Sequence, residues 1–331
     1  MLRANKDWKY CGLQVVLLEN RYLRVAILPE VGGKIWQITY KPADADLLWN
    51  NPRIPPAKQL INARYDDVWS GGWDELFPND EVSQIVGDSY PDHGEFWTGA
   101  WRAATFEEKD AVGVTLSYST PISAVRATKT ITLRRDERRL RFSHSFTNLG
   151  ASDFPFLWKL HPAFAVTPQH RIDFPPMRVL LEPAFRGTLE GAEPEFAWPY
   201  ARIGKQKVDL RCIPPASAQQ LYFFYGTGLT RGWCALTDTN ARLASVVTFD
   251  PRLLSSCWLF ASYGGWRNYN VAVLEPCTGY PLSFAKMMEA GRHRTLRAGE
   301  TLETETAFSV KEGLRSVGGI GPDGEPFEAE N

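Results

Sequence analysis

From Gln14 to Tyr40 the chain reads QVVLLENRYLRVAILPEVGGKIWQITY, short β-branched and aromatic runs broken at Glu19-Asn20 and again between Pro29 and Gly33. Runs of this kind bounded by turn residues predict three consecutive antiparallel strands. Between residues 112 and 148, VGVTLSYST, VRATKTITLRR and RRLRFSHSFTN alternate apolar and polar positions and are separated by Pro121 and by the charged Asp136-Glu137 turn. That period of two predicts three further strands, each with one wet face. A third series runs from Leu221 to Val273. No long stretch keeps helical spacing, so the chain is expected to be all-β with few short helices. Residues 162–215 hold nine of the 23 prolines; proline cannot donate to a ladder, so loops and edge strands are expected there. With no repeat at a fixed period and no long polar linker, residues 1–311 are expected to form one β domain. The Gly- and acid-rich residues 312–331 have little to bury and are expected to be a loosely held terminus.

Composition narrows the classes of function. The 331 residues are 44% hydrophobic, with 37 Lys+Arg against 38 Asp+Glu, a balance that excludes a mostly disordered chain and a polybasic nucleic-acid binder. No apolar run approaches the roughly 20 residues that span a bilayer, and the opening MLRANKDWKYCG lacks the apolar core of a secretory signal. A cytoplasmic location without membrane contact is the expectation. The five cysteines, Cys11, Cys212, Cys234, Cys257 and Cys277, are widely spaced with no C-x-x-C pair; they read as reduced, buried small hydrophobes. The 12 Trp, 12 Tyr and 18 Phe are more rings than a core of this size needs, so some are expected to face a ligand.

The chemistry concentrates in one window. Residues 65–101 contain no Lys or Arg, yet hold nine acids (Asp66, Asp67, Asp74, Glu75, Asp80, Glu81, Asp88, Asp92, Glu95) interleaved with eight aromatic rings, among them Trp69, Trp73, Trp97 and Trp101. Carboxylates that accept hydroxyl hydrogens, beside flat rings that cover the C–H face of a pyranose, suit a sugar pocket. A solvated acidic loop and a calcium site are the other readings, the latter without the 12-residue ligand loop. Two of the five histidines sit in aromatic, turn-rich surroundings, His93 in DHGEFWTGAW and His161 in LWKLHPAF. Late in the chain VAVLEPCTGYP delivers Glu275 at the end of a β run. A buried carboxylate must find donors or take up a proton, which makes Glu275 a candidate base. There is no phosphate loop, no G-x-G-x-x-G turn and no H-E-x-x-H pair, and no cofactor is called for.

These pieces, in order, resemble the aldose 1-epimerase family, the galactose mutarotases and their relatives. LPEVGGKIWQI, GGWDELFPN, HGEFWTGAW, FTNLG, LWKLHPAF, CWLFASYGGW, EPCTGYP and LRAGETLETETAFSV carry the likeness over most of the chain. The resemblance implies a large antiparallel β-sandwich of the galactose mutarotase-like supersandwich type, an isomerase of carbohydrate metabolism that needs no cofactor, and a monosaccharide substrate whose α and β anomers it interconverts. It places the two active-site histidines on His93 and His161 and the catalytic glutamate on Glu275. In that mechanism Glu275 removes the anomeric hydroxyl proton, His161 protonates the ring oxygen, and His93 donates to the ring oxygen or a neighbouring hydroxyl.

The family's usual arginine segment has no counterpart here, and DDVWSGGWDELFPND stands in its place. Asp74 and Glu75 therefore either contact sugar hydroxyls or brace a loop. Trp73, Trp97 and Trp101 either line the pocket or fill the core. Galactose itself is not specified, and a modified aldose with an anionic group stays open. Lys159, Arg126 and Arg267 would neutralise such a group, or are surface charges. Three activities fit: a mutarotase, a carbohydrate-binding sandwich without turnover, and a two-carboxylate glycoside-processing enzyme. A monomer and a homodimer are both compatible with an exposed sheet edge.

Overall fold

The computed structural model describes residues 2–185 and 187–329; Met1, Arg186, Glu330 and Asn331, which fall in the expected domain and tail, lie outside the described residues. The chain divides into two compact units, one of residues 1–162 and 278–307, the other of residues 163–277 and 308–331. Antiparallel strands dominate both. Among the described residues no helix is long and apolar enough to cross a membrane.

In the first unit, strands β1 (Arg3–Tyr10), β2 (Leu13–Glu19), β3 (Leu23–Leu28) and β4 (Lys34–Tyr40) form an antiparallel meander, and a one-turn helix α1 (Tyr65–Val68) precedes β5 (Trp73–Leu76). A second meander comprises β6 (Arg102–Glu107), β7 (Ala111–Ser119), β8 (Val125–Arg134) and β9 (Arg139–Asn148). Strand β10 (Lys159–Ala165) begins in this unit and pairs with β5 so that His161 lies opposite Asp74 and Leu160 opposite Glu75. The three strands expected between residues 14 and 40 and the three between 112 and 148 are thus present. Alternate positions of β8 and β9 are buried, Val125, Ala127, Ile131 and Leu133 on one, Leu140, Phe142 and Phe146 on the other. Each buried Val, Ile, Leu or Phe among them stabilises the fold by about 1.5–3 kcal/mol relative to exposure.

Strand parity decides which way β5 presents its side chains, because successive residues point to opposite faces. Trp73 packs on Phe142 of the second meander at 5.2 Å, so Trp73 and Glu75 enter the core, and Asp74 points to the opposite face. The double glycine before β5 makes this approach possible. Gly71 has φ +83°, and a Cβ there would come within 2.4 Å of the Trp49 carbonyl oxygen.

The second unit contains β11 (Arg178–Leu181), β12 (Gln220–Thr227), β13 (Trp233–Asp238), β14 (Leu243–Phe249), β15 (Ser256–Tyr263) and β16 (Asn270–Cys277). One sheet runs β16, β15, β12, β11 and ends at the edge strand Glu195–Ala197; in another, the edge strand His170–Asp173 pairs with β13, which pairs with β14. The proline-rich residues 162–215 accordingly supply edges and loops. The tail departs from the expectation. Val317 is only 2% exposed in a cluster with Trp233, Ala235, Ala244 and Val246, its N–H donates to Asp173 at 3.0 Å, and Gly319–Ile320 pairs with Pro326–Phe327. One apolar side chain and one buried acceptor suffice to fix a segment whose composition is otherwise that of a loose end. The cysteines depart in part: all five are free, Cys234, Cys257 and Cys277 are buried, and Cys11 and Cys212 are exposed.

Candidate functional site

The first unit brings His93 and His161 together, with ring centroids 6.3 Å apart and nearly perpendicular planes. His161 is positioned by β10. His93 sits in a turn with φ +60°, a left-handed conformation that histidine tolerates better than most residues. The next residue, Gly94, brings the chain against Phe77, where a Cβ would lie 2.0 Å from the carbonyl oxygen. This contact explains the His-Gly pair.

Around the two imidazoles stand Tyr65 and Trp69, neither of them singled out as a site residue from the sequence. The Tyr65 ring stacks on His93 at 4.1 Å and meets His161 edge-on at 5.5 Å. Trp69 meets His161 edge-on at 5.8 Å. Trp97 meets Tyr65 edge-on at 5.0 Å, and its Nε1 donates to the Asp92 carbonyl at 3.0 Å. Tyr65, Trp69 and Trp97 also line a recess together with Val31, Lys34 and Ser70.

The polar contacts are specific. Tyr65 donates its hydroxyl hydrogen to Asp74 Oδ2 at 2.7 Å, and Lys34 Nζ donates to the same oxygen at 2.7 Å and to the Gly71 carbonyl at 2.7 Å. The Tyr65 oxygen lies 3.3 Å from His161 Nδ1. Asp92 bonds His93 Nδ1 at 2.8 Å through Oδ1 and accepts the Tyr65 N–H at 2.8 Å through Oδ2. Lys159 pairs with Asp80 in a buried contact. Asp74 Oδ1 is buried with no hydrogen-bond partner among the described residues.

Electrostatics separate the two histidines. Burial presses His93 toward its neutral form, but the charges of Asp80 and of the hydrogen-bonded Asp92 outweigh it and raise its pKa above the usual imidazole value, with Lys159 opposing. His161 goes the other way. Burial, followed by the positive charges of Lys159, His93 and Lys34, holds it well below that value. Between the two pKa values the pair is therefore one imidazolium and one neutral imidazole. Asp92, although burial raises it, is held below the ordinary carboxylate range by His93 and the Tyr65 N–H.

The other residues expected at the site are taken up by packing or pairing, are exposed, or belong to the second unit. Glu75 faces the core, where Oε1 pairs with Lys129 at 2.8 Å and Oε2 accepts the Trp158 Nε1 hydrogen at 3.2 Å. Trp73 packs on Phe142, and Trp101 packs on Phe96 and Tyr118. Strand parity removes Glu75 and Trp73 from the histidine face, and Trp101 is taken up by apolar packing. Lys159 is committed to Asp80. Arg126 is exposed on β8. Arg267, in the second unit, lies over Trp266 at 4.9 Å. Glu275, also in the second unit, is buried on β16 opposite Trp258, which in turn lies opposite Tyr225 on β12. Among the described residues no three His, Cys, Asp or Glu side chains converge to hold a metal ion.

Solved structures share this architecture across nearly the whole chain. A galactose mutarotase-like protein from Clostridium acetobutylicum superposes with a TM-score of 0.68 at 13% identity, covering 94% of this chain and 99% of that one. The fold is galactose mutarotase-like. A galactose mutarotase related enzyme from Lactobacillus acidophilus aligns over 90% of this chain and 97% of its own, with a TM-score of 0.61 and 12% identity. At the level of sequence, YphB, an uncharacterized protein of Escherichia coli (strain K12), is 30% identical over 121 residues. That match spans 37% of this chain and 38% of the relative's length. No family model matches the chain.

Proposed function

We propose that the protein is a cofactor-independent aldose 1-epimerase acting on a neutral free aldose. The observation that carries this reading is the pair of adjacent histidines with oppositely displaced pKa values, since groups driven apart in this way divide acid and base work between them. In the reaction that the sequence resemblance implies, the Glu275 carboxylate takes the proton of the anomeric hydroxyl. The C1–O5 bond breaks as the C1=O bond forms, and the electron pair left on the ring oxygen receives a proton from the His93 imidazolium. Rotation about C1–C2 turns the other face of the aldehyde to the ring hydroxyl, and the reverse transfers close the ring and restore both groups. General acid and base groups of this kind contribute typically about 10²- to 10⁴-fold each.

This division revises the part that the sequence resemblance gives His161. A ring held neutral is a poor donor to the sugar oxygen and a good acceptor, so His161 receives a hydroxyl hydrogen and orients the sugar, and His93 acts as the donor. Asp74 supports a sugar contact as well, because Oδ1 lacks a partner that a hydroxyl would supply. The neutral substrate follows from charge: Lys34 and Lys159, the lysines beside the histidines, each already hold a carboxylate. A sulfonate or phosphate there would have to displace one.

The test is anomer exchange by NMR over a panel of neutral, phosphorylated and sulfonated aldoses. The expected result is acceleration for a neutral aldose, reduced by orders of magnitude in Glu275→Gln. Saturable binding with no acceleration would instead assign a sugar-binding protein without turnover, and full activity in Glu275→Gln would remove that residue from the reaction.

A further inference from the structure

The hydrogen-bond chain behind His161 has a direction, and that direction is fixed at its far end. Lys34 Nζ is a donor only, and the Asp74 carboxylate to which it is bound is an acceptor only. Tyr65 must therefore give its single hydroxyl hydrogen to Asp74 Oδ2, at 2.7 Å. What the tyrosine oxygen then presents to His161 Nδ1, 3.3 Å away, is a lone pair. A lone pair facing a ring nitrogen is satisfied only if that nitrogen carries the hydrogen. All four residues are buried and lie within the first unit, so water competes weakly for these contacts.

We infer that Lys34, Asp74 and Tyr65 form a polarised relay that locks neutral His161 in its Nδ1–H tautomer and leaves Nε2 as the acceptor that meets a ligand hydroxyl. Tyr65 is thus a positioning residue: it acts on the sugar through His161. The same ring stacks on His93 and its N–H donates to Asp92, so one residue sets the orientation of both imidazoles. The inference deepens the proposed function in assigning His161 its role, but the tautomer itself does not depend on which sugar reacts, or whether any does.

The experiment is long-range ¹H–¹⁵N correlation NMR of the intact, histidine-labelled protein, whose two ring-nitrogen shifts distinguish the tautomers of neutral His161. The wild type should show a single Nδ1–H form, assigned by its absence in His161→Asn. Asp74→Ala is the informative variant. It removes the oxygen that takes the Tyr65 hydroxyl hydrogen, which is then free to turn to Nδ1, and the ring hydrogen moves to Nε2. The expected outcome is a shift toward the Nε2–H form in Asp74→Ala and a mixture of both tautomers in Tyr65→Phe. Loss of the acceptor at Nε2 should raise the sugar KM about tenfold or more, with a smaller change in kcat. An Nε2–H form in the wild type, or an unchanged tautomer in both variants, would overturn the relay. The expected tautomers in a protein that accelerates no anomer exchange would keep the relay and reject the epimerase reading.

Discussion

The first unit holds two clusters of nearly the same composition on opposite faces of one short strand. On one face, Asp74 meets Lys34 and Tyr65, whose hydroxyl lies against His161; on the other, Glu75 meets Lys129, His144 and Trp158. Each has a carboxylate, a lysine, a histidine and an aromatic N–H or O–H donor. The difference lies in what is left over. In the Glu75 cluster both carboxylate oxygens have partners, Lys129 also donates to the Gly33 carbonyl, and His144 Nε2 lies 3.1 Å from Thr306 Oγ1. That cluster is closed on all sides by core. In the Asp74 cluster one carboxylate oxygen is unpartnered, and the neighbouring His93 side chain is 17% exposed. Residue type therefore does not separate a structural ion cluster from a candidate site. His144 Nδ1 in the Glu75 cluster also lacks a hydrogen-bond partner, but its ring is fully buried; what separates the two is unused hydrogen-bonding capacity beside a side chain that a ligand can reach.

The sharpest separation is in catalysis. His93→Asn should lower anomer exchange by about 10²- to 10⁴-fold while leaving the urea midpoint close to that of the wild type. His144→Phe should do the reverse in kind, keeping exchange within a few-fold of wild type because the ring does not face the sugar. Equal loss of exchange in both variants would erase the distinction between the clusters.

Stability is the next largest effect. Glu75→Ala leaves Lys129 charged and buried without its carboxylate, a change expected to cost about 3–5 kcal/mol in urea unfolding. Asp74→Ala also strands a lysine that keeps a carbonyl acceptor, as Lys129 keeps that of Gly33, but Lys34 lines the recess, where water can reach it, so its cost should be the smaller. The opposite order would mean that the Glu75 cluster is not the structural one.

A smaller, pH-dependent effect follows from the histidines. His144 is pushed down to about 4, first by burial and then by Lys129, against the pull of Glu75. A histidine whose folded pKa is depressed binds fewer protons than the unfolded chain, so stability falls as pH drops through the unfolded value near 6.5 and the loss is complete near pH 4. His161 contributes in the same direction. His93, raised in the folded state, works oppositely: its contribution is full below about 6.5 and is lost as pH rises through its folded value. Urea midpoints measured across this range should decline less steeply on acidification in His144→Phe than in the wild type. An unchanged slope would remove His144 from the acid response.

Smallest is the effect of the rings. Trp97→Phe keeps an aromatic surface against Tyr65 but loses the donor to the Asp92 carbonyl, and a few-fold rise in sugar KM is expected. Trp101→Phe, in the core, should leave KM unchanged.

Much of the strand order was legible because alternation along β8 and β9, and the turn residues between runs, are local signals. The aromatic, turn-rich settings marked His93 and His161 as candidates one by one, and the fold brings the two rings together. The role of Asp74 as distinct from Glu75 was not, because it depends on the face that a four-residue strand presents, and so few residues establish no alternation of their own. One signal was available: Lys129 occupies a buried position in the alternation of VRATKTITLRR and must find a carboxylate, which Glu75 supplies. Lys34 and Tyr65 were hidden for another reason. They lie far from His161 in sequence, and only strand pairing and the Gly71-Gly72 turn bring them together. Composition does not reveal how the tail is held, since the single buried Val317 outweighs the surrounding glycines.

The most direct test of the central claim is the pH profile of anomer exchange, followed by NMR for neutral aldohexoses from about pH 5 to 9 in the wild type and in His93→Asn. Acceleration by the wild type should fall as pH rises through the elevated pKa of His93, with little acceleration at any pH in the variant. Exchange in His93→Asn equal to that of the wild type, with the same pH profile, would contradict that claim.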